Sequence, residues 1–347
     1  MSKKIRWAVI GSGGIARRRT IPEGIISADN AKLAVVYDIN AEVNAAVASE
    51  FNAPAAGSIE ELLKADIDAV YIATPANVHC QQTLACAEAG RHVLCEKPLG
   101  MNVKETETMV AACKKANLSL GTAFMIRFHT QHKAALEMIQ AGKLGKLVYG
   151  RAQMSGWYPP IEGAWRQDPT MGGGGSLMDM GGHCIDLPEM FFGKVKRVSC
   201  FTDNMVHNYK SEDAAVTMLH FENGAFATVD NFFCIPDSSS LFALEIYGSM
   251  GSIIAKGTIN QGDQGEMTAY LEQSSADYNA QQDHKMSEPI MISPQPYNTY
   301  RSEIEEFSQA IIEGRQPYNN AELGMRSEKI LEACYESAKT GKVIEIN

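Results

Sequence analysis

The chain has 347 residues, 45% hydrophobic and 21% charged, with a formal net charge of −10. This is the composition of a folded globular protein, and at about 100–200 residues per domain it allows two domains, each with its own core. The acidic balance argues against nucleic acid or an anionic membrane as partner, and no apolar run approaches the ~18–20 residues of a membrane span.

The opening Met1-Ser2-Lys3-Lys4 runs directly into a strand-like stretch, too short an apolar run for a signal peptide. Arg17-Arg18-Arg19 follows a glycine-rich turn, with no long apolar region after it, so it is not a twin-arginine signal. The eight cysteines are scattered, and none forms a CxxC pair. Free buried thiols in a reducing, cytoplasmic compartment are the expectation.

The first third alternates short apolar runs with helical patterns. The runs are Trp7–Ile10, Leu33–Tyr37, Ala69–Ala73, His92–Cys95 and Leu118–Phe124; helices are expected at Glu42–Phe51, Val78–Glu88 and Val103–Lys115. Such alternation predicts βαβ units and a parallel sheet, with ligands at the carboxyl ends of the strands. After about Ala123 the pattern changes. A helix near Gln131–Gln140 leads to a strand at Leu147–Met154, then a loop rich in aromatics, Pro and Gly from Gly156 to Gly175. A helix over Ser176–Phe191 follows, then strands from Val195 to about Tyr270. The clearest hairpin joins Ala214–Phe221 to Ala225–Phe233 through Asn223-Gly224, read as a type I′ turn with positive φ at both residues. Gln273–Pro296 is polar and aperiodic, and helices close the chain at Tyr300–Ile312 and Ala321–Ala338. The expected division is a nucleotide-binding domain over residues 1–124 and a substrate and oligomerisation domain over 125–347, with the C-terminal helices free to pack back on the first.

Gly11-Ser12-Gly13-Gly14-Ile15-Ala16 ends the first strand, opens the first helix and matches G-x-G-x-x-A. Gly11 permits a tight turn, Gly13 lets the backbone approach a pyrophosphate and Ala16 allows close helix–strand packing. Free N–H groups at the helix start would face the phosphates. Asp38 closes the second strand, 22 residues beyond Ala16, where a carboxylate accepts hydrogen bonds from the adenosine ribose and repels a 2′-phosphate. NAD is therefore expected as cofactor. NADP stays open, because the arginine triplet could neutralise a 2′-phosphate.

Two further stretches suggest chemistry. Val93–Leu99 places Glu96 and Lys97 at a strand's carboxyl end, with Pro98 favouring an extended Lys97. In Gly172–His183, Asp179 and His183 are four apart and share a helical face, and the flanking glycines are read as leaving room for a flat ring. Taken singly, each has a plainer explanation: a solvated lysine, a core histidine, an aspartate in an ion pair. Together, behind a nucleotide motif, they define a candidate site.

These residues resemble the glucose–fructose oxidoreductase / inositol dehydrogenase (Gfo/Idh/MocA) family. The matching features are Gly11–Ala16; Ala73-Thr74-Pro75 with Asn77 and His79; Glu96-Lys97-Pro98; Trp165-Arg166; and Asp179-x-Gly181-x-His183-x-x-Asp186. Glu212-Asp213 and Glu222-Asn223-Gly224 fit as well. The resemblance spans nearly the whole chain. It implies an α/β Rossmann domain plus an α+β domain with a large open antiparallel sheet, and assembly as a homodimer or homotetramer through that sheet. It also implies NAD-dependent oxidation of a secondary hydroxyl of a sugar, polyol or cyclitol. Its proposed catalytic set is Lys97, Asp179 and His183. His183 would be the general base and Lys97 the group that stabilises the developing alkoxide, or the two in exchanged roles. Asp179 would orient Lys97 or the substrate, and Asp186 the imidazole.

The cofactor-binding set is Gly11, Ser12, Gly13, Gly14, Ile15, Asp38, Ala73, Thr74, Pro75, Asn77, His79, Glu96, Lys97, Arg127, Trp165 and Arg166. Asn77 could equally be a helix cap, and Arg127 and Arg166 surface ion pairs. Substrate contacts are expected from Lys97, Tyr158, Trp165, Asp179 and His183, because the loop holding Trp157, Tyr158 and Trp165 suits the C–H faces of a sugar. That loop also fits a second reading, a glycoside ring-hydroxyl oxidoreductase that retains NAD. A third is a non-catalytic NAD-sensing regulator on the same fold. His129 and His132 have HxxH spacing but no acidic partner pattern, so no metal is expected.

Overall fold

The computed structural model describes residues 3–272 and 287–346. These form two compact units. The first comprises the chain up to Phe128, Asp168–Gly173 and Asn298–Lys329; the second comprises His129–Gln167, Gly174–Tyr297 and Ile330–Asn347.

The first unit is built on β1 (Ile5–Ile10), β2 (Ala31–Tyr37), β3 (Ala69–Ile72), β4 (His92–Cys95) and β5 (Leu120–Thr122). All pairings are parallel, in the order β2-β1-β3-β4-β5. Continuous apolar strands suit a sheet covered on both faces, and alternate residues enter separate cores. Ala8, Ile10, Val70 and Ile72 join Leu62 and Met109 on one side; Trp7, Val9 and Tyr71 join Ile21 and Phe307 on the other. The Thr299–Glu313 helix supplies Phe307, whose ring lies 5.6 Å from Trp7, and Ser308, which accepts the indole N–H at 3.0 Å. Side-chain caps fix several helix starts: Asn40 at Ala41–Glu50, Ser58 at Ile59–Lys64 and Asn102 at Val103–Lys115. The first helix is unusual. Ala16–Ile25 is π-helical and carries Pro22.

The second unit holds β6 (Leu147–Ser155), β7 (Val195–Asp203), β8 (Ala214–Phe221), β9 (Phe226–Phe232), β10 (Leu244–Gly248), β11 (Gly251–Lys256), β12 (Glu266–Leu271), β13 (Pro289–Met291) and β14 (Ile344–Glu345). They form one sheet in the order β13-β12-β11-β10-β6-β9-β8-β7-β14. The expected antiparallel sheet is mixed: β6 and β9 at its centre run parallel. A long crossover separates β6 from its partner, and the Gly182–Phe192 helix within it covers β6. At Gly150 a Cβ would lie 2.7 Å from the Phe192 ring, so glycine admits that ring. Burial alternates along the strands, as a sheet with one covered face requires.

The β8–β9 turn differs from its sequence reading. Gly224 has φ +90°, but Asn223 is not in the positive-φ region, so the turn is not type I′. Gly224 N–H donates to Phe221 O, and Asn223 Oδ1 accepts from Ala225 N–H. The asparagine stabilises the longer loop through its side chain instead of adopting a left-handed backbone. Part of the aperiodic stretch 273–296 lies outside the described residues; Pro289–Met291 within it is a strand.

Candidate active site

In the first unit the chain reverses its order about β1, and the topological switch point lies between β1 and β3. The glycine turn sits there. Gly11 has φ +79°, and a Cβ on it would lie 2.8 Å from the Ala73 carbonyl and from Thr74. Side chains are therefore excluded both by conformation and by contact with the β3 loop. Gly13 N–H donates to Asp38 Oδ2 at 3.0 Å, and Asp38 Oδ1 accepts from Asn40 N–H. The carboxylate at the end of β2 thus also braces the turn. Gly14, at φ +51°, faces open space, while Ser12 Oγ is buried without a hydrogen-bond partner. An open backbone cradle beside an unsatisfied hydroxyl fits a dinucleotide phosphate. Ile15 and Ala16 continue into the helix.

Of the arginine triplet, Arg17 pairs with Glu50 at 2.7 Å, and Arg19 pairs with Glu23 at 2.7 Å beneath the Tyr300 ring. Arg18 has no acidic partner among the described residues. Along the crevice, Thr74 Oγ1 donates to Gln82 Oε1, and Pro75 begins a short 3-10 turn that no side chain caps. Asn77 in that turn is exposed and does not serve as a cap. His79 is fully buried. Its ring nitrogens lie 2.9 Å from Thr74 O and Pro98 O, tying the loop after β3 to the one after β4. Burial lowers its pKa, against the pull of the carbonyls.

Glu96 and Lys97 leave the end of β4 half-buried, and the Lys97–Pro98 peptide is cis. Glu96 Oε1 accepts the Tyr71 hydroxyl at 2.5 Å. Nearby Glu303 is fully buried. Desolvation, reinforced by the Glu96 charge, raises its pKa well above the usual carboxylate range, while Asn319 donates to it at 3.0 Å. Arg127, buried in the 3-10 turn Met125–Phe128, lies over the Tyr318 ring at 5.5 Å.

In the second unit Leu177–Gly181 is π-helical and continues into the α-helix Gly182–Phe192. Asp179 and His183 thus straddle a π-to-α junction, not the uniform α-helix of the sequence reading; such wide turns recur at functional sites. Gly174, Gly175 and Gly181 do not leave room for a ligand ring. A Cβ on Gly174 would overlap the Tyr335 hydroxyl, and one on Gly175 the Glu212 carbonyl. A Cβ on Gly181 would come 2.8 Å from Leu177. The chain's own packing takes up that space.

The start of this helix is held from below by Glu212, whose carboxylate accepts from Gly175 N–H, Leu177 N–H and the Tyr335 hydroxyl. Burial raises the Glu212 pKa even against those bonds. Asp179 Oδ1 takes the Arg166 Nε–H at 3.0 Å, and the Arg166 guanidinium lies 4.1 Å above the Trp165 ring. Two expected cofactor residues therefore meet an expected catalytic one. Tyr158 packs 5.0 Å from Phe233, and its backbone carbonyl accepts the Tyr209 hydroxyl. His183 is half-buried, and Asp186, one turn on, is buried. Sequence reading gave Glu212 and Tyr335 no site role, because their contacts join segments far apart in the chain.

A parallel sheet with a glycine turn at its switch point is the architecture of a dinucleotide-binding domain, and the second unit carries a helix bearing Asp179 and His183. The chain belongs to the Gfo/Idh/MocA oxidoreductase family. Its "NAD-binding Rossmann fold" domain matches residues 5–124, and its "C-terminal alpha/beta domain" matches 136–346. It is similar to a 1,5-anhydro-D-fructose reductase of Ensifer adhaerens (30% identity over 345 residues, 98% of each chain). It is also similar to D-xylose 1-dehydrogenase (NADP(+)) 2 of Haloferax volcanii (30% over 343 residues, 98% of this chain and 99% of that one). Levoglucosan dehydrogenase, solved with NADH and levoglucosan, shares the fold at a TM-score of 0.86 and 22% identity, covering 99% of this chain and 100% of the other.

Proposed function

We propose that the protein oxidises a secondary hydroxyl of a sugar, polyol or inositol, using NAD in preference to NADP. The observation that carries the proposal is that Lys97, Asp179 and His183 all occupy their family motif positions in a chain matched by both family domains. A regulator without catalysis has no need of all three. When bound, NAD supplies the acceptor for the hydride that leaves the carbinol carbon. His183 takes the hydroxyl proton as general base. Lys97 donates a hydrogen bond to the same oxygen and stabilises its developing charge. Asp179, held by Arg166, fixes the polar geometry around the substrate. Asp38 supports NAD: it offers a carboxylate where a 2′-phosphate would lie, and Glu50 and Glu23 already engage Arg17 and Arg19.

The proposal extends to self-association through the uncovered face of the second unit's sheet, where Phe201, Val216, Met218 and Phe226 are exposed.

The test is reduction of NAD⁺, with NADP⁺ in parallel, on a panel of inositols, free sugars and glycosides. Lys97→Met is expected to lower kcat about 10²–10³-fold while nucleotide still binds. Near-normal turnover in both Lys97→Met and His183→Ala enzymes would sink the mechanism. Nucleotide binding without turnover on a wide panel would favour the regulator.

A further inference from the structure

The loop from Gly156 to Arg166 is tethered at both ends to one short stretch of helix. At its start, a Cβ on Gly156 would lie 3.3 Å from Met180 Cε. At its end, Arg166 holds Asp179 at 3.0 Å. Both ends of the loop, Gly156 next to Trp157 and Arg166 next to Trp165, therefore lie close to residues 179–180.

Trp157 differs from the chain's other two tryptophans. Trp7 is fully buried and Trp165 lies under Arg166, but Trp157 is 45% exposed. It is nonetheless rigidly mounted. Its backbone N–H donates to Asp237 Oδ1 at 3.1 Å, and its backbone bridges to Cys234. Its ring meets the buried His207 edge-on at 4.8 Å, and His207 stacks on Tyr209 at 5.4 Å. His207 is itself locked. Its N–H donates to Asp213 Oδ2 at 2.7 Å, and its Nε2 lies 3.1 Å from Phe233 O. An indole set against His207, with nearly half its surface in solvent and carried on the loop that Arg166 ties to Asp179, presents a flat apolar face.

We propose that Trp157 is a subsite for a second ring: the flat face of an aryl or pyranosyl group joined through a glycosidic bond to the ring that is oxidised. Sugar C–H faces and aryl rings both pack on indole, and a preorganised platform loses little conformational entropy on binding. The inference deepens the oxidoreductase reading and rests on it for turnover, but not for binding. It makes glycosides better substrates than free sugars or inositols.

The test compares methyl, phenyl and glucosyl β-D-glucopyranosides, the last being cellobiose. The expected result is a kcat/KM at least about tenfold higher for a two-ring substrate than for the methyl glycoside, about 1.4 kcal/mol, carried by KM. That preference collapses in Trp157→Ala and partly survives in Trp157→Phe. A gain with phenyl alone assigns the subsite to an apolar aglycone, and a gain with cellobiose assigns it to a sugar. Independently, the indole N–H signals of the three tryptophans are followed by NMR, the Trp157 signal being identified by its loss in Trp157→Phe. Phenyl glucoside or cellobiose shifts that signal, and methyl glucoside does not. A shift without any nicotinamide reduction keeps the subsite and rejects the oxidoreductase reading. Turnover with an unchanged ring preference in Trp157→Ala rejects the subsite, as does a Trp157 signal that no glycoside moves. A signal that moves with protein concentration instead rejects it in favour of a contact between copies.

Discussion

Single side chains in this protein carry two tasks at once, and substitutions should reveal both. Asp38 is proposed to meet the cofactor ribose, and its Oδ2 also accepts Gly13 N–H at 3.0 Å. Asp38→Ala is therefore expected to weaken NAD binding about tenfold or more, through the lost ribose contact and a loosened turn. It should narrow the gap to NADP by removing the charge that repels a 2′-phosphate. Isothermal titration with both nucleotides checks this, and an unchanged NAD/NADP ratio counts against Asp38 as the discriminating group. Glycine-turn chemistry was legible in the sequence because backbone conformation is a local property. The partner of Asp179 was not: the sequence shows a carboxylate and an arginine thirteen residues apart, and only the tertiary fold brings them to 3.0 Å.

At the scale of elements, the helix bearing Asp179 and His183 depends on the Glu212-Asp213 dipeptide. Glu212 satisfies two backbone N–H groups at the helix start and the Tyr335 hydroxyl. Glu212→Ala leaves these donors unmatched in a buried place, and a loss of about 2–4 kcal/mol in urea unfolding is expected. Glu212→Gln, which keeps one acceptor oxygen, should lose less; equal losses would argue that shape alone matters there. Asp213 accepts from the N–H groups of Met205, Val206 and His207. Burial pushes its pKa up, but these three donors together hold it below the usual carboxylate value. A depressed folded pKa contributes stability that is present above the unfolded value of about 4 and is lost as pH falls through the folded value. Asp213→Asn is thus expected to cost about 1–3 kcal/mol at pH 7, with the gap to the parent protein closing at pH 3 and below. A gap that does not change with pH would remove the carboxylate's charge from the explanation.

At the scale of the molecule, the uncovered sheet face sets the question of assembly. Phe201 is 75% exposed and Met218 53%, on adjacent strands of a sheet whose other face is buried. Isolated exposed apolar residues are ordinary, but several side by side on one sheet face point to a partner surface. On the proposed self-association through this face, a Phe201→Lys, Met218→Lys double variant is expected to sediment at a lower mass than the parent protein. An unchanged mass in analytical ultracentrifugation would move the interface elsewhere.

By itself the sequence determined the element types of the first unit almost strand for strand and the glycine turn that opens its first helix, because these follow from local periodicity and turn conformation. Tertiary structure decided what crosses long stretches of chain. It paired β6 in parallel with β9, filled the space beside Gly174 and Gly175 with Tyr335 and Glu212, and widened the helix under Asp179 into a π turn. It also moved Asn223 out of the expected hairpin conformation. None of these follows from a local pattern, since each is set by which distant atoms compete for the same space and the same hydrogen bonds.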